Sequence, residues 1–190
     1  MNTQPTINTL TQPTAIQFAD NAIKAWEAQA KGITAFFEKY ADADYLKPIA
    51  PGRNRPVYVL GHLIAVNDGL LPMLGFGQKL FPELEAQFLS NPDDHASTTP
   101  TLAELKLKWE TQLGILAKHF RSLEPQEWLH PHKAVSDADF DNEPHRNKLS
   151  VLLSRTNHLG YHLGQLNLFP EKKRLKYNPF RTSVSLNFAF

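Results

Sequence analysis

The segment PVYVLGHLIAVNDGLLPML, residues 56–74, decides how the rest of this chain must fold. Drawn as a helix, it carries leucines and Ile64 on one side, while the opposite side, which includes His62, is also mostly apolar. A helix that is apolar all round is a buried, central helix, so other elements must cover it. Proline suits its first turn at Pro56, whereas Pro72 is expected to kink or end it.

Three other segments place apolar residues at the three- and four-residue steps of a helix. The first runs from Thr14 to about Tyr40, and the last from about Lys148 to Phe169. The third begins with a capping box, Thr101–Glu104, and stops before Pro125. Packing the four helices against one another buries all four apolar stripes in one core. The sequence therefore predicts an all-α four-helix bundle.

The connections after the second and third helices are expected to be long. Residues 75–100 contain several glycines and prolines, with a short helical turn expected at 82–89, and residues 125–147 are mostly polar. The acidic run at 137–143 fits a solvated loop, although a lid is the alternative. His130 and His132 fall in the same connection and are assigned to a flexible loop rather than to a metal site.

Composition limits the class of protein. The 190 residues suit a single domain spanning 1–190, with a helical core at 14–169 and a C-terminal tail at 170–190. A formal net charge of +1 gives no basis for nucleic-acid binding. The chain has no cysteine, so disulfides and thiolate ligands are excluded. We find no secretory signal and no membrane span, so a soluble, cytoplasmic protein is expected.

Two histidines lie four residues apart on the last helix. His158 and His162 share a stripe that flanks the main core stripe, so their side chains can converge on one ion. Such a pair also arises often by chance, as surface histidines or as buried ones satisfied by a carbonyl or water. The pair alone leaves these alternatives open.

His62 favours a metal site over the other interpretations, because it lies in the apolar helix, where an unpaired imidazole is costly to bury. Inward-facing side chains of neighbouring helices can meet in a bundle core, which is how bundle metal sites are built. Three histidines with no evident fourth ligand would leave an open position, as catalytic metal sites do.

These residues also carry a family resemblance. NRPVYVLGHL, residues 54–63, followed by HLGYHLGQ, residues 158–165, resembles the DinB/YfiT-like family of metal-binding helix bundles. The resemblance implies that His62, His158 and His162 are the metal ligands. It places Gln165 beside the ligands or facing the substrate, and it also fits a homodimer.

The function implied is that of a divalent-metal-dependent enzyme acting on a small-molecule substrate. The resemblance indicates either a hydrolase or a transferase or isomerase that uses a low-molecular-weight thiol. Zinc, nickel, iron and manganese all remain candidates, because imidazole does not choose among them. The alternative is a non-catalytic bundle that binds a metal or a small ligand. No carboxylate is placed as a general base, since Asp68 falls off the face of His62.

The tail carries two further patterns. The basic run KKRLK, residues 172–176, is interpreted as a solvated stretch after a helix end, where cations are favoured. Alternating apolar residues at 184–190 predict a strand that packs on the bundle or on a partner subunit.

Overall fold

A computed structural model describes residues 12–96 and 100–169. Within them the chain forms six α-helices: α1 Gln12–Phe36, α2 Pro56–Asp68, α3 Leu70–Leu74, α4 Leu102–Ser122, α5 Asp137–Asn142 and α6 Lys148–Leu166. Three 3-10 turns, Asp42–Leu46, Pro82–Leu84 and Pro125–Leu129, and one π-helical turn, Ala86–Ser90, join them. These residues contain no β-strand, which confirms the all-α class.

The long helices pack as neighbours around one core. Helix α1 lies along α6, α2 lies along α4, and further contacts join α1 to α4 and α2 to α6. Fully buried side chains from all four fill the space between them: Trp26, Ile33, Leu60, Leu63, Ile64, Leu105, Phe120, Leu152 and Leu159. The apolar stripes predicted from the sequence are therefore the surfaces that meet.

Pro56–Leu74 is long and apolar enough to cross a membrane by length and composition alone. In the folded chain, 72% of its most apolar window is buried against other parts of the protein. The segment is therefore the buried core helix that its sequence predicts.

The kink expected at Pro72 lies three residues earlier, at Gly69, between α2 and α3. Proline has no N–H to offer the carbonyl four residues before it, and its ring crowds that carbonyl. The carbonyl concerned belongs to Asp68, so the helix is interrupted there. Helix α3 continues through Pro72 and ends at Gly75, whose φ of 83° lies in the left-handed region.

Helix α1 ends before the apolar periodicity does. Tyr45 is fully buried, and its hydroxyl donates to the Phe36 carbonyl at 2.7 Å and accepts from the Tyr40 N–H at 2.9 Å. A side chain from the next turn thus satisfies the helix end. At the N-terminal end of α1, the apolar periodicity predicts that Ile16 is buried. This prediction is wrong, because Ile16 is 47% exposed.

Helix α4 begins at the predicted capping box. The Thr101 hydroxyl accepts from the Glu104 N–H at 3.3 Å, and the Thr101 N–H donates to the Glu104 carboxylate at 2.7 Å. Further along, the buried Gln112 donates to the Ile64 carbonyl at 3.0 Å and to Asp68 at 3.1 Å. These bonds fix α4 against α2.

The connection at 75–96 is anchored to α2 at both ends. The Asp68 carboxylate accepts from the N–H groups of Leu80 and Phe81, at 3.0 and 2.7 Å. At the other end Arg55 and Asp93 form a buried ion pair, with side chains 8% and 3% exposed. The helical turn predicted at 82–89 is present as a 3-10 turn followed by a π-helical turn.

The connection at 125–147 is more ordered than a flexible polar loop. Trp128 lies buried in the turn Pro125–Leu129, and the acidic run forms the short exposed helix α5, at whose start the Ser136 hydroxyl accepts from the Asp139 N–H. Acidic residues suit the first turn of a helix, where the backbone dipole is positive. The two patterns predicted for the tail lie outside the described residues.

Candidate metal centre

The structure brings together the three histidines predicted from the sequence. The Nε2 atom of His158 lies 3.3 Å from Nε2 of His62 and 3.1 Å from Nε2 of His162. The ligand atoms of all three lie within 4.8 Å of one another, and each residue is half-buried. His62 comes from α2 and the other two come from α6, so the contact between these helices creates the cluster.

His62 is held in one tautomer by a backbone carbonyl. Its Nδ1 lies 2.9 Å from the Phe88 oxygen, which can only accept a hydrogen bond, so Nδ1 carries the proton. The Nε2 atom then presents its lone pair to the other two histidines. This is the arrangement by which proteins orient a histidine ligand through its second nitrogen.

Gly61 allows Phe88 to approach. The Phe88 ring lies so close to α2 that a Cβ atom at position 61 would overlap it. Phe88 is itself buried in the π-helical turn Ala86–Ser90. Gly61 therefore allows the Phe88 ring to pack against α2, and this packing brings the Phe88 carbonyl within hydrogen-bond distance of His62.

The two Nε2 separations that involve His158 fit a metal ion. Ligands about 2.05 Å from a tetrahedral ion lie about 3.3 Å apart, which matches both measured separations. Hydrogen bonding between neutral imidazoles cannot explain both. With a proton on Nδ1 of His62, Nε2 of His158 can donate to His62 or accept from His162, but not both. A cation between the lone pairs removes this conflict.

The two α6 histidines are neutral at physiological pH. Burial lowers the pKa of His158 from 6.5 to about 4, with further contributions from His162, His62 and Arg155. Burial, followed by His62, lowers the pKa of His162 to about 4 as well, while a hydrogen bond with Gln165 acts in the opposite direction. Neutral imidazole is the metal-binding form, so protons do not compete for these nitrogens near pH 7.

One cavity lies at the cluster, and a larger one adjoins it. The smaller, about 160 Å³, is lined by His62 and His162 together with Asn54, Tyr58, Val59, Phe88 and Leu89. The larger, about 330 Å³, shares Asn54 and Val59 with it and extends towards Gln165 at the end of α6. An ion held by the three histidines would thus have open space on the side of His62 and His162.

No carboxylate joins the cluster within the described residues. Asp68 is buried and bound to the connection at Leu80 and Phe81, as its position off the His62 face predicted. The acidic residues of α5 and the side chains of His130 and His132 line neither cavity. The donor set is therefore three nitrogens with no fourth protein ligand among these residues.

Gln165 lies next to His162 and in the lining of the larger cavity. Sequence reasoning missed Asn54 and Tyr161, which also line that cavity, and it missed the Phe88 carbonyl. A carbonyl leaves no mark in a sequence, because every residue has one. The only available signal was a glycine directly before His62.

Comparison with known proteins agrees with the motifs. The family profile described as the DinB superfamily matches residues 25–166, which cover α2, α4 and α6 and the second half of α1. This confirms the resemblance found from residues 54–63 and 158–165. No curated protein matches the chain.

Proposed function

The chain belongs to the DinB superfamily, and from this premise we propose that it is an enzyme that binds a divalent metal through His62, His158 and His162 and acts on a small molecule. The observation that carries the proposal is the convergence of three Nε2 atoms, 3.1 and 3.3 Å apart for the two closest pairs. Three nitrogen ligands with an open side are typical of catalytic rather than structural metal sites.

A divalent ion with an open position supplies a Lewis acid that polarises a carbonyl and lowers the pKa of water to about 7. The chain's own residues provide the surroundings. Phe88 and Leu89 supply apolar walls that limit water, while Asn54 offers an amide at the boundary between the two cavities. Gln165 reaches from His162 to the larger cavity and can orient a substrate there.

We propose two reaction classes, hydrolysis and transfer or isomerisation with a low-molecular-weight thiol. Since the chain has no cysteine, any sulfur nucleophile must come from a small thiol. The classes are separated by assaying metal-loaded protein for ester and amide hydrolysis, and for conjugation of an electrophile in the presence and absence of thiols such as glutathione and cysteine. Activity that requires the thiol identifies the second class.

Metal content tests the proposal directly. We expect purified protein, dialysed against zinc, nickel, iron(II) or manganese, to retain about one ion per chain, measured by inductively coupled plasma mass spectrometry. His62→Ala and His158→Ala should each remove it. His145→Ala, which changes an exposed histidine, is the matched control and should retain it. Wild-type protein without metal, or ligand variants with full metal, would refute the proposal.

A purely structural metal site and a catalytic one predict different changes in melting temperature when the metal is removed. A purely structural ion should lower the melting temperature sharply on chelation, because its binding free energy contributes to folding. We expect only a modest loss here, since the helices share an apolar core that does not involve the cluster.

We further propose that α1, α2, α4 and α6 form the four-helix bundle expected from the sequence, in a single domain. The ring of contacts from α1 to α6, α2, α4 and back to α1 supports this topology. A cytoplasmic homodimer remains part of the proposal, and sedimentation of the full chain tests the dimer.

A further inference from the structure

The larger cavity has the composition of a substrate-binding site rather than of a packing defect. Its volume of about 330 Å³ lies at the lower end of the range for small-molecule pockets. Ile49, Val59 and Leu168 contribute apolar surface, whereas its polar side chains are Arg53, Asn54, Tyr161 and Gln165. Such a mixed lining suits a molecule with a short apolar stem and a polar end.

Among the described residues, the lining of this cavity contains one charged side chain, that of Arg53. Arg53 is exposed, and within residues 12–96 and 100–169 its guanidinium has no ion-pair partner. None of the lining residues that the structure describes is acidic. The nearby Arg55 differs, because Asp93 neutralises it in a buried pair. An arginine in the lining of a cavity can hold an external carboxylate with two parallel hydrogen bonds.

Tyr161 adds a second donor. The Gln165 amide donates to the Tyr161 hydroxyl oxygen at 2.9 Å, so the hydroxyl hydrogen remains free to point elsewhere. The Tyr161 ring also packs edge-on against the His162 ring, 5.0 Å between centroids. Tyr161 therefore contacts a member of the cluster with its ring and also lines the larger cavity.

The two cavities adjoin at Asn54 and Val59, which line both. A small molecule with one end at the three histidines would pass these residues and place its other end near Arg53. We propose that the larger cavity binds the carboxylate end of the substrate, with Arg53 as its counter-ion and the Tyr161 hydroxyl as a further donor. This assignment deepens the proposed function and rests on it for the position of the reacting end.

The test uses two series of synthetic ligands on zinc-loaded protein. Each carries a hydroxamate to engage the metal and a chain of two to six methylenes, ending either in a carboxylate or in the uncharged primary amide. Titration calorimetry should show that, at the best chain length, the carboxylate binds at least tenfold more tightly than the matching amide. Arg53→Ala should abolish this preference, so that the carboxylate and the matching amide bind with equal affinity.

Arg121→Ala is the matched control. It removes the same charge from an exposed side chain of α4 that lines neither cavity, so the preference should persist. Equal binding of the two series to the wild type would overturn the carboxylate assignment, as would a preference that survives Arg53→Ala.

A second measurement keeps this inference separate from the metal proposal. In chelated protein, glutarate should shift the Nε–Hε resonance of Arg53 in nitrogen-15 spectra, whereas glutaramide should not. If zinc fails to bind but glutarate shifts this resonance, the metal proposal fails and the anion site stands. If zinc and both hydroxamate series bind but the carboxylate gives neither preference nor shift, the anion site fails alone.

Discussion

At the scale of single residues, the hydrogen bond from His62 Nδ1 to the Phe88 carbonyl sets the chemistry of the cluster. It fixes which nitrogen of His62 faces the other histidines, and it exists because Gly61 leaves room for the Phe88 ring. The identity of one glycine thus determines the orientation of an imidazole on the next residue.

Gly61→Ala should weaken metal binding by about 10- to 100-fold, the usual effect of losing the partner that orients a histidine ligand. The added methyl group displaces Phe88, and its carbonyl leaves His62. Competition with a chromophoric chelator measures the affinity. Gly164→Ala is the control, because its Cβ meets open space on α6, and it should instead stabilise the fold by about 0.5–1 kcal/mol. Unchanged affinity in Gly61→Ala would separate Phe88 from the metal site.

The stability of the metal-free protein should depend on pH through the α6 histidines. Both have a folded pKa of about 4, below the ordinary value of 6.5. Between these values the unfolded chain binds more protons, so the free energy of unfolding should fall as pH drops from about 6.5 to 4 and be flat above. Urea unfolding of chelated protein across this range measures it. The double variant His158→Gln, His162→Gln should have a shallower slope, and an identical slope would contradict the assignment.

The three histidines could be predicted from the sequence because each has a distinctive side chain at a helical spacing. Tyr161 and Asn54 could not, since their importance depends on which residues face a cavity between elements distant in the chain. Arg53 is similar, because an exposed arginine before a helix is ordinary until the lining around it is known.

At the scale of elements, the sequence predicted the long helices well because their apolar stripes and caps are local signals. The sequence misplaced the ends of α1 and α2, where a residue beyond the end of the helix decides where the helix stops. Tyr45 satisfies the end of α1 from the following turn, and Pro72 disturbs the carbonyl of Asp68 rather than its own position. The connection at 125–147 was expected to be a loop, because the single buried Trp128 gives no periodic signal.

Thr101→Ala should destabilise the protein by about 1 kcal/mol, the usual cost of losing a side-chain N-cap. The melting temperature should fall by about 2–4 °C for a chain of this length. Thr111→Ala, at an exposed position inside α4, serves as the control and should be neutral or stabilising, because alanine is the better helix former. A Thr101→Ala melting temperature equal to that of the wild type would show that the capping box contributes nothing.

At the scale of the whole molecule, α2 organises the site. It supplies His62, packs against α4 and α6, and holds the connection at 75–96 through Asp68 at one end and Arg55 at the other. The carbonyl of Phe88 lies between these two anchors. We therefore expect the geometry of the three-histidine cluster to depend on an ion pair that touches none of its members.

Asp93→Ala should cost about 3–5 kcal/mol of unfolding free energy, because it leaves the guanidinium of Arg55 buried without its partner. It should also weaken metal binding by releasing the segment that carries Phe88. Urea unfolding and chelator competition measure the two effects. Asp42→Ala breaks an exposed pair with Lys106 and should cost less than about 1 kcal/mol, with no effect on metal. A similarly small effect for both variants would exclude a structural role for Asp93.

The double anchoring of the 75–96 connection also has a kinetic consequence. A segment fixed at Asp68, at His62 and at Arg55 cannot swing as a lid, so the wall of the site that contains Phe88 and Leu89 is preformed. Ligand entry past this wall should follow single-step association, with an observed rate that rises linearly with ligand concentration and shows no plateau from a slow opening step.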